Sequence, residues 1–352
     1  MNRYEILKSL LDQGQVFKII CGAGNEDIDQ VKRLSYIYTL AGATIIDVSA
    51  NVDVVKVAIE GIELAYTNAS LYDITIKTRP YIMVSVGMPG DPHVRKAYID
   101  TNSCEECGKC LSICPTQAID TKRLVSWGTD YLVDTKLCIG CGKCSNICNT
   151  DSVISYRYDD RKLLKENLLQ CLESGAELIE LHAAIGEHRD SLLEWELINS
   201  INPNNFNSLC LDRINLDNVN LKYRIEEARK ISGDKLIIQA DGIPMSGGGG
   251  TFNSTLQTVA MADIINKEFD NNIYLILSGG TNSLTKSLAQ DMGVHFNGVA
   301  IGSYARKIIK GCVDDTAIYI ATDLVESNID KHLIWDTKTT MTDKNSGLIN
   351  LF

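Results

Sequence analysis

Two cysteine-rich repeats constrain the fold of this chain more than any other feature of its sequence. Each repeat has the spacing C-x2-C-x2-C-x3-C, and together they hold eight of the chain's 12 cysteines. In bacterial two-cluster ferredoxins this spacing supplies the thiolates that bind [4Fe–4S] clusters. The cysteines are Cys104, Cys107, Cys110 and Cys114 in the first repeat and Cys138, Cys141, Cys144 and Cys148 in the second. Residues 98–157 are therefore predicted to form a ferredoxin-like unit with two [4Fe–4S] clusters.

The two repeats are expected to exchange ligands, because the fourth cysteine of each repeat binds the other cluster. Zinc is the alternative ion, but zinc sites use cysteines in C-x2-C pairs and not in triplets. Pro115 follows the first repeat, as the ferredoxin pattern requires, whereas Asn149 follows the second. This departure leaves open the alternative that one cluster is labile. The expected ligand sets are Cys104, Cys107, Cys110 and Cys148 for one cluster, and Cys138, Cys141, Cys144 and Cys114 for the other.

Composition and charge limit the compartment and the partners of the chain. Apolar residues make up 45% of the 352 residues and charged residues 22%, which is ordinary for a globular protein. The net charge of −11 argues against nucleic acid and anionic membranes as partners, since both require basic patches. It suits a basic redox partner, or solubility alone. No apolar run reaches the ~18 residues of a membrane span, no signal-peptide pattern is present, and cluster-type cysteines favour a reducing compartment. We expect a soluble, cytoplasmic protein.

Strand-like and helix-like patterns alternate on both sides of the cysteine repeats. Three strand patterns precede the repeats and five follow them, and helical periodicity separates them. Such strand–helix units predict a parallel sheet built from right-handed crossovers. The predicted strands are Val16–Cys21, Thr44–Val48, Tyr81–Val86, Glu177–His182, Ser208–Asp212, Lys235–Asp241, Ile273–Leu277 and Gly298–Gly302.

The number of strands favours a (β/α)₈ barrel of the TIM type, with the ferredoxin-like unit inserted after the third strand. We assign residues 1–97 and 158–312 to the barrel and residues 98–157 to the insertion. Beyond Val313 the periodicity is poor, so residues 313–352 are predicted to form a C-terminal appendage. The two barrel parts hold 252 residues, close to the ~250 that such a barrel needs. The alternative is an open doubly wound sheet, which normally uses fewer strands.

Glycine-rich turns follow the last two predicted strands. In many barrels the loops at this position bind phosphate through free backbone N–H groups. A flavin mononucleotide (FMN) or a phosphorylated metabolite would suit such a site, while the alternative is that these glycines only form tight turns. A run of four glycines, Gly247–Gly250, also lies near this end of the barrel. The candidate residues are Gly279, Gly280, Thr281, Gly302 and Ser303.

Polar residues gather at the predicted carboxyl ends of the strands, where barrel enzymes carry their chemistry. Glu180 and His182 share one strand face, so an acid–base pair is geometrically feasible, with Asp241 as a further candidate. The alternative is hydrogen bonding within a polar barrel mouth. Lys18 is expected either inside the barrel or at an edge. The remaining polar candidates are Asp47, Ser85, Asp212 and Gln239. Four cysteines lack ligand spacing and are expected to be small core residues: Cys21, Cys171, Cys210 and Cys312. Four histidines are isolated in the sequence: His93, His188, His295 and His332.

The order of these motifs resembles the light-dependent period (LdpA) family of cyanobacteria. The resemblance extends over most of residues 17–310, and the cysteine repeats are its most specific part. The shared segments are FKIICGA (17–23), YTLAGA (38–43), DPHxRKA (91–97), QADGxPMSGG (239–248), SGGTN (278–282) and GSYARK (302–307), together with the two repeats.

The resemblance implies an iron–sulfur protein that senses the reduction state of the cell and passes it to the circadian clock by binding a partner protein. It assigns no catalytic residue. The alternative function is a barrel oxidoreductase, in which the clusters pass electrons to a flavin or to a phosphorylated substrate at the barrel mouth. A small-molecule ligand at the mouth is expected only in that second case.

Overall fold

The architecture is described from a computed structural model of the chain. It describes residues 1–88, 91, 96–120, 132–134, 137–138, 143–156, 161–243 and 252–330. Cys141, His93, His332 and the glycine run Gly247–Gly250 lie outside the described residues.

Eight parallel strands close into a barrel, so the barrel prediction is confirmed and the open-sheet alternative is wrong. Around the barrel the strands follow the order β1, β2, β3, β8, β9, β10, β11, β12, after which β12 pairs again with β1. The strands are β1 Val16–Ile20, β2 Ile45–Ser49, β3 Tyr81–Gly87, β4 Lys96–Ile99, β5 Ile119–Asp120, β6 Leu132–Val133, β7 Val153–Tyr156, β8 Leu178–His182, β9 Asn207–Asp212, β10 Leu236–Asp241, β11 Tyr274–Ser278 and β12 Gly298–Ile301.

The helices between the barrel strands cover its outer surface. Several begin at the side-chain caps that the sequence offers: Asp27, Asn51 and Asp217 each accept a backbone N–H of the first turn. The helices are α1 Arg3–Asp12, α2 Ile28–Leu40, α3 Val52–Asn68, α4 Lys109–Ile113, α5 Lys143–Ile147, α6 Arg161–Glu173, α7 His188–Ile201, α8 Asn218–Ser232, α9 Phe252–Phe269, α10 Thr285–Asp291, α11 Ser303–Ile308 and α12 Asp314–Glu326.

The apolar core has two parts, one between strands and helices and one inside the barrel. The inner part fills the amino-terminal half of the barrel and includes Tyr81, Met83 and Phe206. Helix α1, which the sequence patterns did not predict as a helix, packs Leu7 and Leu11 into this inner core. The amino-terminal end of the barrel is therefore filled by apolar side chains. A functional site inside the barrel has to lie at its carboxyl end.

The inserted segment forms a small unit of two antiparallel strand pairs and two short helices. The pair β4–β7 joins the first strand to the last, and the pair β5–β6 joins the two middle strands. Helices α4 and α5 each lie within one cysteine repeat and pack against each other. The chain therefore builds β4–α4–β5 and β6–α5–β7 as two equivalent halves, which is the ferredoxin-like architecture predicted after the third barrel strand.

The structure corrects the sequence prediction beyond residue 313. Helix α12 occupies Asp314–Glu326, buries Ala317, Ala321 and Leu324, and packs against α2 of the barrel. The expectation of poor helical periodicity is therefore wrong for this stretch, and residues 331–352 lie outside the described part. The division of the chain into domains at residues 97, 157 and 312 stays a prediction. Among the described residues, no helix has the length and apolar character needed to cross a membrane.

Candidate functional site

The inserted unit gathers cysteines from both repeats into one small core. Among the described residues, the cysteines are free thiols rather than disulfides. Cys107 is exposed. The core packs Ala97, Ile99, Ala118, Ile119 and Val153 around Cys104, Cys110, Cys114, Cys138, Cys144 and Cys148.

The last cysteine of each repeat lies in the same local geometry. The hydroxyl of Thr116 lies 3.7 Å from the sulfur of Cys114, and that of Thr150 lies 3.5 Å from the sulfur of Cys148. The third residue after each cysteine, Gln117 or Asp151, has the left-handed backbone conformation, with φ of 54° and 52°. Replacement of Pro115 by Asn149 in the second repeat therefore does not change the local chain path, because both turns close in the same way.

The surroundings of Cys114 and Cys148 favour the thiolate form that iron requires, whereas burial raises the pKa of the Cys110 thiol. Backbone N–H groups donate to the sulfurs of Cys104, Cys114 and Cys138 over 3.3–3.4 Å. The Thr150 hydroxyl, together with backbone N–H groups, lowers the pKa of the Cys148 thiol to about 7. Although burial opposes ionisation at Cys114, hydrogen bonds from Thr116 and from backbone N–H groups lower its pKa as well. Soft sulfur donors surrounded by backbone donors fit iron–sulfur clusters, since such hydrogen bonds also stabilise the sulfurs of a bound cluster.

A second polar cluster crosses the interior of the barrel, centred on Lys18. Its ammonium group is fully buried and lies 2.6 Å from the Glu180 carboxylate and 3.0 Å from that of Asp47. Lys18 therefore points into the barrel, as one of the two sequence alternatives had it. The Ser85 hydroxyl donates to Asp47 over 2.5 Å, and the Ser208 hydroxyl donates to Glu180 over 2.7 Å. Five strands thus contribute to one buried hydrogen-bonded layer.

Burial and neighbouring charges shift the pKa values of Lys18, Asp47 and Glu180 in different directions. Burial opposes the charge on Lys18, but the two carboxylates outweigh that penalty and raise its pKa. Burial raises the pKa of Asp47, and the neighbouring Glu180 charge adds to this effect. Glu180 also pays a burial penalty, yet Lys18 and His182 lower its pKa. The ion pair between Lys18 and Glu180 is therefore the dominant charge pair inside the barrel.

Above this layer, side chains of three neighbouring strands meet at the barrel mouth. His182 Nε2 lies 3.4 Å from Glu180 Oε1, so the predicted pair is in contact. The Cys210 thiol donates to Asp241 Oδ2 over 3.9 Å, and the Gln239 amide donates to the Cys210 sulfur over 3.3 Å. Glu180, His182 and Cys210 each place one donor atom within 4.8 Å of the other two.

Cys210 was expected to be a small core residue, and it is buried, but its surroundings are polar. It is buried, and burial raises the pKa of its thiol to about 12, but its neighbours are His182, Gln239 and Asp241 rather than apolar side chains. Cysteine spacing could not reveal it, because its partners come from other strands. The usable signal was its position on β9, where it aligns with His182 of β8 and Gln239 of β10.

Neighbouring groups of the mouth raise the pKa of the His182 imidazole. Burial opposes protonation of the imidazole, but Cys210, Glu180 and Asp91 outweigh it and raise its pKa well above 6.5. Asp91 belongs to the segment that leads from β3 into the cysteine-rich insertion. The Met88 N–H donates to the carbonyl of His182 over 3.0 Å, and the Asp91 N–H donates to that of Met88 over 2.9 Å. The start of the insertion is therefore attached directly to the mouth.

A cavity of about 920 Å³ opens at this end of the barrel. Its floor includes Glu180, His182, Gln239 and Asp241, and its wall includes Arg306 and Lys307. The five residues proposed from the sequence to hold phosphate, Gly279, Gly280, Thr281, Gly302 and Ser303, also line it.

The glycines of the cavity wall have a clear packing role. A Cβ at Gly279 would lie 1.7 Å from Asp241 Oδ1, and one at Gly280 would lie 2.4 Å from the Cβ of Ser254. Both have positive φ values, 74° and 85°. The Thr281 hydroxyl donates to the carbonyl of Ala300 over 2.5 Å. Tight turns therefore account for these residues, and a phosphate at this position stays a prediction.

The other polar candidates hold the structure together. Asp212 accepts hydrogen bonds from the backbone N–H groups of Ile214 and Asn215 and so closes the turn after β9. Arg224, which the sequence patterns did not single out, is buried in α8 and donates to the carbonyls of Ala183 and Gly186 beside the mouth. The sequence contained no signal for Arg224, because its burial depends on the elements that surround α8.

Comparisons with known proteins agree with both parts of the chain. The light dependent period A C-terminal domain matches residues 171–335, and the 4Fe-4S dicluster domain matches residues 103–152. Light dependent period A of Synechococcus elongatus is 30% identical over 307 residues, which is 84% of this chain and 81% of that protein.

Solved structures also show a distant likeness to this chain. An aldolase is 10% identical with a TM-score of 0.47, and covers 89% of this chain and 94% of its own. The thiamine phosphate pyrophosphorylase of Pyrococcus furiosus is 12% identical with a TM-score of 0.40, and covers 90% of this chain and 96% of its own. At these values the likeness carries no argument about activity.

Proposed function

Because the chain belongs to the light dependent period A family, and is thereby an iron–sulfur protein, we propose that it holds two [4Fe–4S] clusters and reports the reduction state of the cell to a partner protein. The name of the cyanobacterial relative suggests that this partner belongs to a timing system that responds to light. Cluster oxidation state is the signal in this proposal, and the barrel is the body that carries the clusters and binds the partner.

The observation that carries the proposal is the shared core of cysteines from both repeats. Thiolates of the two repeats have to lie together if each repeat lends its fourth cysteine to the other cluster. The antiparallel pairing of β4 with β7 and of β5 with β6 supports this exchange, because it relates the halves by approximate twofold symmetry. The proposed ligand sets are Cys104, Cys107, Cys110 and Cys148, and Cys138, Cys141, Cys144 and Cys114.

The test compares partner binding in two oxidation states. The full chain is purified without oxygen, immobilised, and used to capture proteins from extract of its host with the clusters either oxidised or reduced by dithionite. The proposal predicts a partner whose recovery changes with the cluster state. Cys107→Ala should abolish the change, whereas Cys171→Ala, a buried cysteine of α6 outside the repeats, should preserve it. Equal recovery in both states would contradict a sensor.

A second function is favoured by the mouth itself. A cavity of about 920 Å³ with Glu180 and His182 at its floor has the volume and the polar groups of a small-molecule site. The cationic side chains of Arg306 and Lys307 and the glycine turns fit an FMN phosphate. When bound, FMN would supply hydride and one-electron chemistry. We propose as the alternative that the protein is an oxidoreductase whose clusters exchange electrons with a flavin or a phosphorylated substrate at this mouth.

An absorbance spectrum for released flavin tests whether the oxidoreductase function uses a flavin. Acid denaturation of the anaerobically purified protein, followed by removal of the precipitate, releases any non-covalent flavin into the supernatant. Flavin absorbance near stoichiometric amounts would favour the oxidoreductase, and its absence would leave that function with a phosphorylated substrate alone. A matched variant, Arg306→Met, should lower flavin recovery if the phosphate lies beside that side chain.

A further inference from the structure

Donor atoms from three neighbouring strands converge at the barrel mouth, away from the cysteine repeats. We propose that Glu180, His182 and Cys210 bind one divalent transition-metal ion of the zinc class and leave its fourth position open. One carboxylate oxygen, one imidazole nitrogen and one sulfur lie within 4.8 Å of one another in this cluster. Imidazole, thiolate and carboxylate are the donors that zinc uses in proteins.

The separation between two of the donor atoms fits tetrahedral coordination. Bonds of about 2.0–2.3 Å to zinc place neighbouring ligand atoms about 3.3–3.6 Å apart. The distance from His182 Nε2 to Glu180 Oε1 is 3.4 Å. The donor atoms of Glu180, His182 and Cys210 all lie within 4.8 Å of one another, so inward shifts of the side chains would bring the remaining separations to this value. The register of β8 and β9 holds two of these positions, because His182 aligns with Cys210 in the closed barrel.

Residues behind the site orient the carboxylate ligand. Lys18 and Ser208 both donate to Oε2 of Glu180, over 2.6 Å and 2.7 Å. They hold this oxygen away from the mouth and leave Oε1 directed toward His182. Partners of this kind fix the orientation of metal ligands in known sites. The positive charge of Lys18 also offsets part of the negative charge that Glu180, Asp241 and a Cys210 thiolate would bring together.

Gln239 provides an independent indication that a ligand belongs here. Its amide nitrogen donates to Glu180 Oε1 over 3.1 Å and to Cys210 Sγ over 3.3 Å. Its oxygen is buried and has no hydrogen-bond partner among the residues that the structure describes. A buried carbonyl oxygen without a partner costs about 1–3 kcal/mol. A water molecule bound to the metal would supply the missing donor.

The position of the site at the floor of an open cavity indicates the function of a bound ion. Glu180, His182, Gln239 and Asp241 form the floor of the open cavity, so a bound ion would face that space. Catalytic zinc sites differ from closed structural sites in keeping one position for water or substrate. A small molecule with a carboxylate or phosphate oxygen would take this position, with Arg306 and Lys307 in the cavity wall. This inference does not depend on the cluster-based function.

The test measures zinc in the full chain with its clusters in place. Anaerobic protein is incubated with one equivalent of Zn²⁺, desalted, and analysed for zinc and iron by mass spectrometry and for zinc ligands by X-ray absorption. We expect about one zinc per chain with one sulfur neighbour near 2.3 Å and nitrogen or oxygen neighbours near 2.0 Å. Cys210→Ser and His182→Gln should weaken zinc binding at least about tenfold, whereas Cys171→Ser should not, and iron content should be unchanged in all three.

Two results would overturn the proposal. A zinc shell of three or four sulfurs would show that the ion occupies the cysteine repeats, and failure of the wild-type protein to retain zinc would show that the mouth binds none. The spectrum of the wild-type protein decides between these results even where a variant fails to fold.

Discussion

Substitution of Lys18 by methionine tests the physical account of the barrel interior. The ammonium group is fully buried and is the cation facing two buried carboxylates, Glu180 at 2.6 Å and Asp47 at 3.0 Å. At an effective dielectric constant of about 20, each contact is worth about 6 kcal/mol of Coulomb energy, and most of this is offset by the desolvation of three charges. Methionine fills a similar volume and would lie against Met83, which Lys18 already contacts over 3.4 Å.

The cost of Lys18→Met comes mainly from the carboxylates left behind. Removing one partner of a buried ion pair destabilises a protein by about 3–5 kcal/mol, because the remaining charge has no compensation. We expect a decrease of this size in the free energy of unfolding. The triple variant Lys18→Met/Asp47→Asn/Glu180→Gln should recover most of it, since neutral side chains replace all three charges.

The assay is urea unfolding of the anaerobic protein, followed by circular dichroism at 222 nm, which reports the barrel helices. Lys32→Met serves as the control, because its ion pair with Glu60 is exposed at both ends and should contribute only about 0–1 kcal/mol. A loss below about 1 kcal/mol for Lys18→Met, or a triple variant less stable than the single one, would refute the view that Lys18 is a charged counterion.

Three further predictions address the insertion, the cavity wall and the mouth. Cys107→Ala removes an exposed ligand candidate and should lower iron per chain to about half by colorimetric analysis; unchanged iron would exclude Cys107 as a ligand. Gly279→Ala should destabilise the protein by at least about 2 kcal/mol in urea unfolding, because the added Cβ would overlap Asp241 at a position of positive φ. Gly293→Ala is the control: nothing lies within 4 Å of its Cβ, so it should cost only the ~1–2 kcal/mol of the left-handed conformation. Equal losses for the two variants would refute the steric argument. Arg224→Leu leaves buried carbonyls without donors and should lower the free energy of unfolding by about 2–4 kcal/mol in the same assay. A loss within about 0.5 kcal/mol, the range of a neutral surface change, would show that those carbonyls find other donors.

The sequence predicted the barrel well because its signal is regular. Eight short apolar runs separated by helical periods leave few other topologies, and all eight predicted strands overlap strands of the barrel. The prediction failed for α1 and α12, whose mixtures of polar and apolar residues do not stand out without knowledge of the surface that they cover. Leu7 and Leu324 are buried only because the barrel end and α2 lie against them.

Within the candidate site, local spacing was informative and long-range contact was not. The cysteine repeats are contiguous, so their chemistry could be predicted from spacing alone. Glu180 and His182 share a strand, and their contact was predicted for the same reason. The partners of Lys18 and the position of Cys210 depend on which strands become neighbours around the barrel and on their register. Single-sequence patterns contain neither, because a shift of one residue would turn these side chains out of the interior.

Iron and sulfide analysis of the anaerobically purified chain, combined with electron paramagnetic resonance after dithionite reduction, tests the central claim most directly. The account predicts about eight iron and eight sulfide per chain and a reduced signal of two interacting [4Fe–4S] clusters. About four of each, with the signal of an isolated cluster, would contradict the two-cluster assignment, and zinc in place of iron at the repeats would contradict an iron–sulfur role altogether.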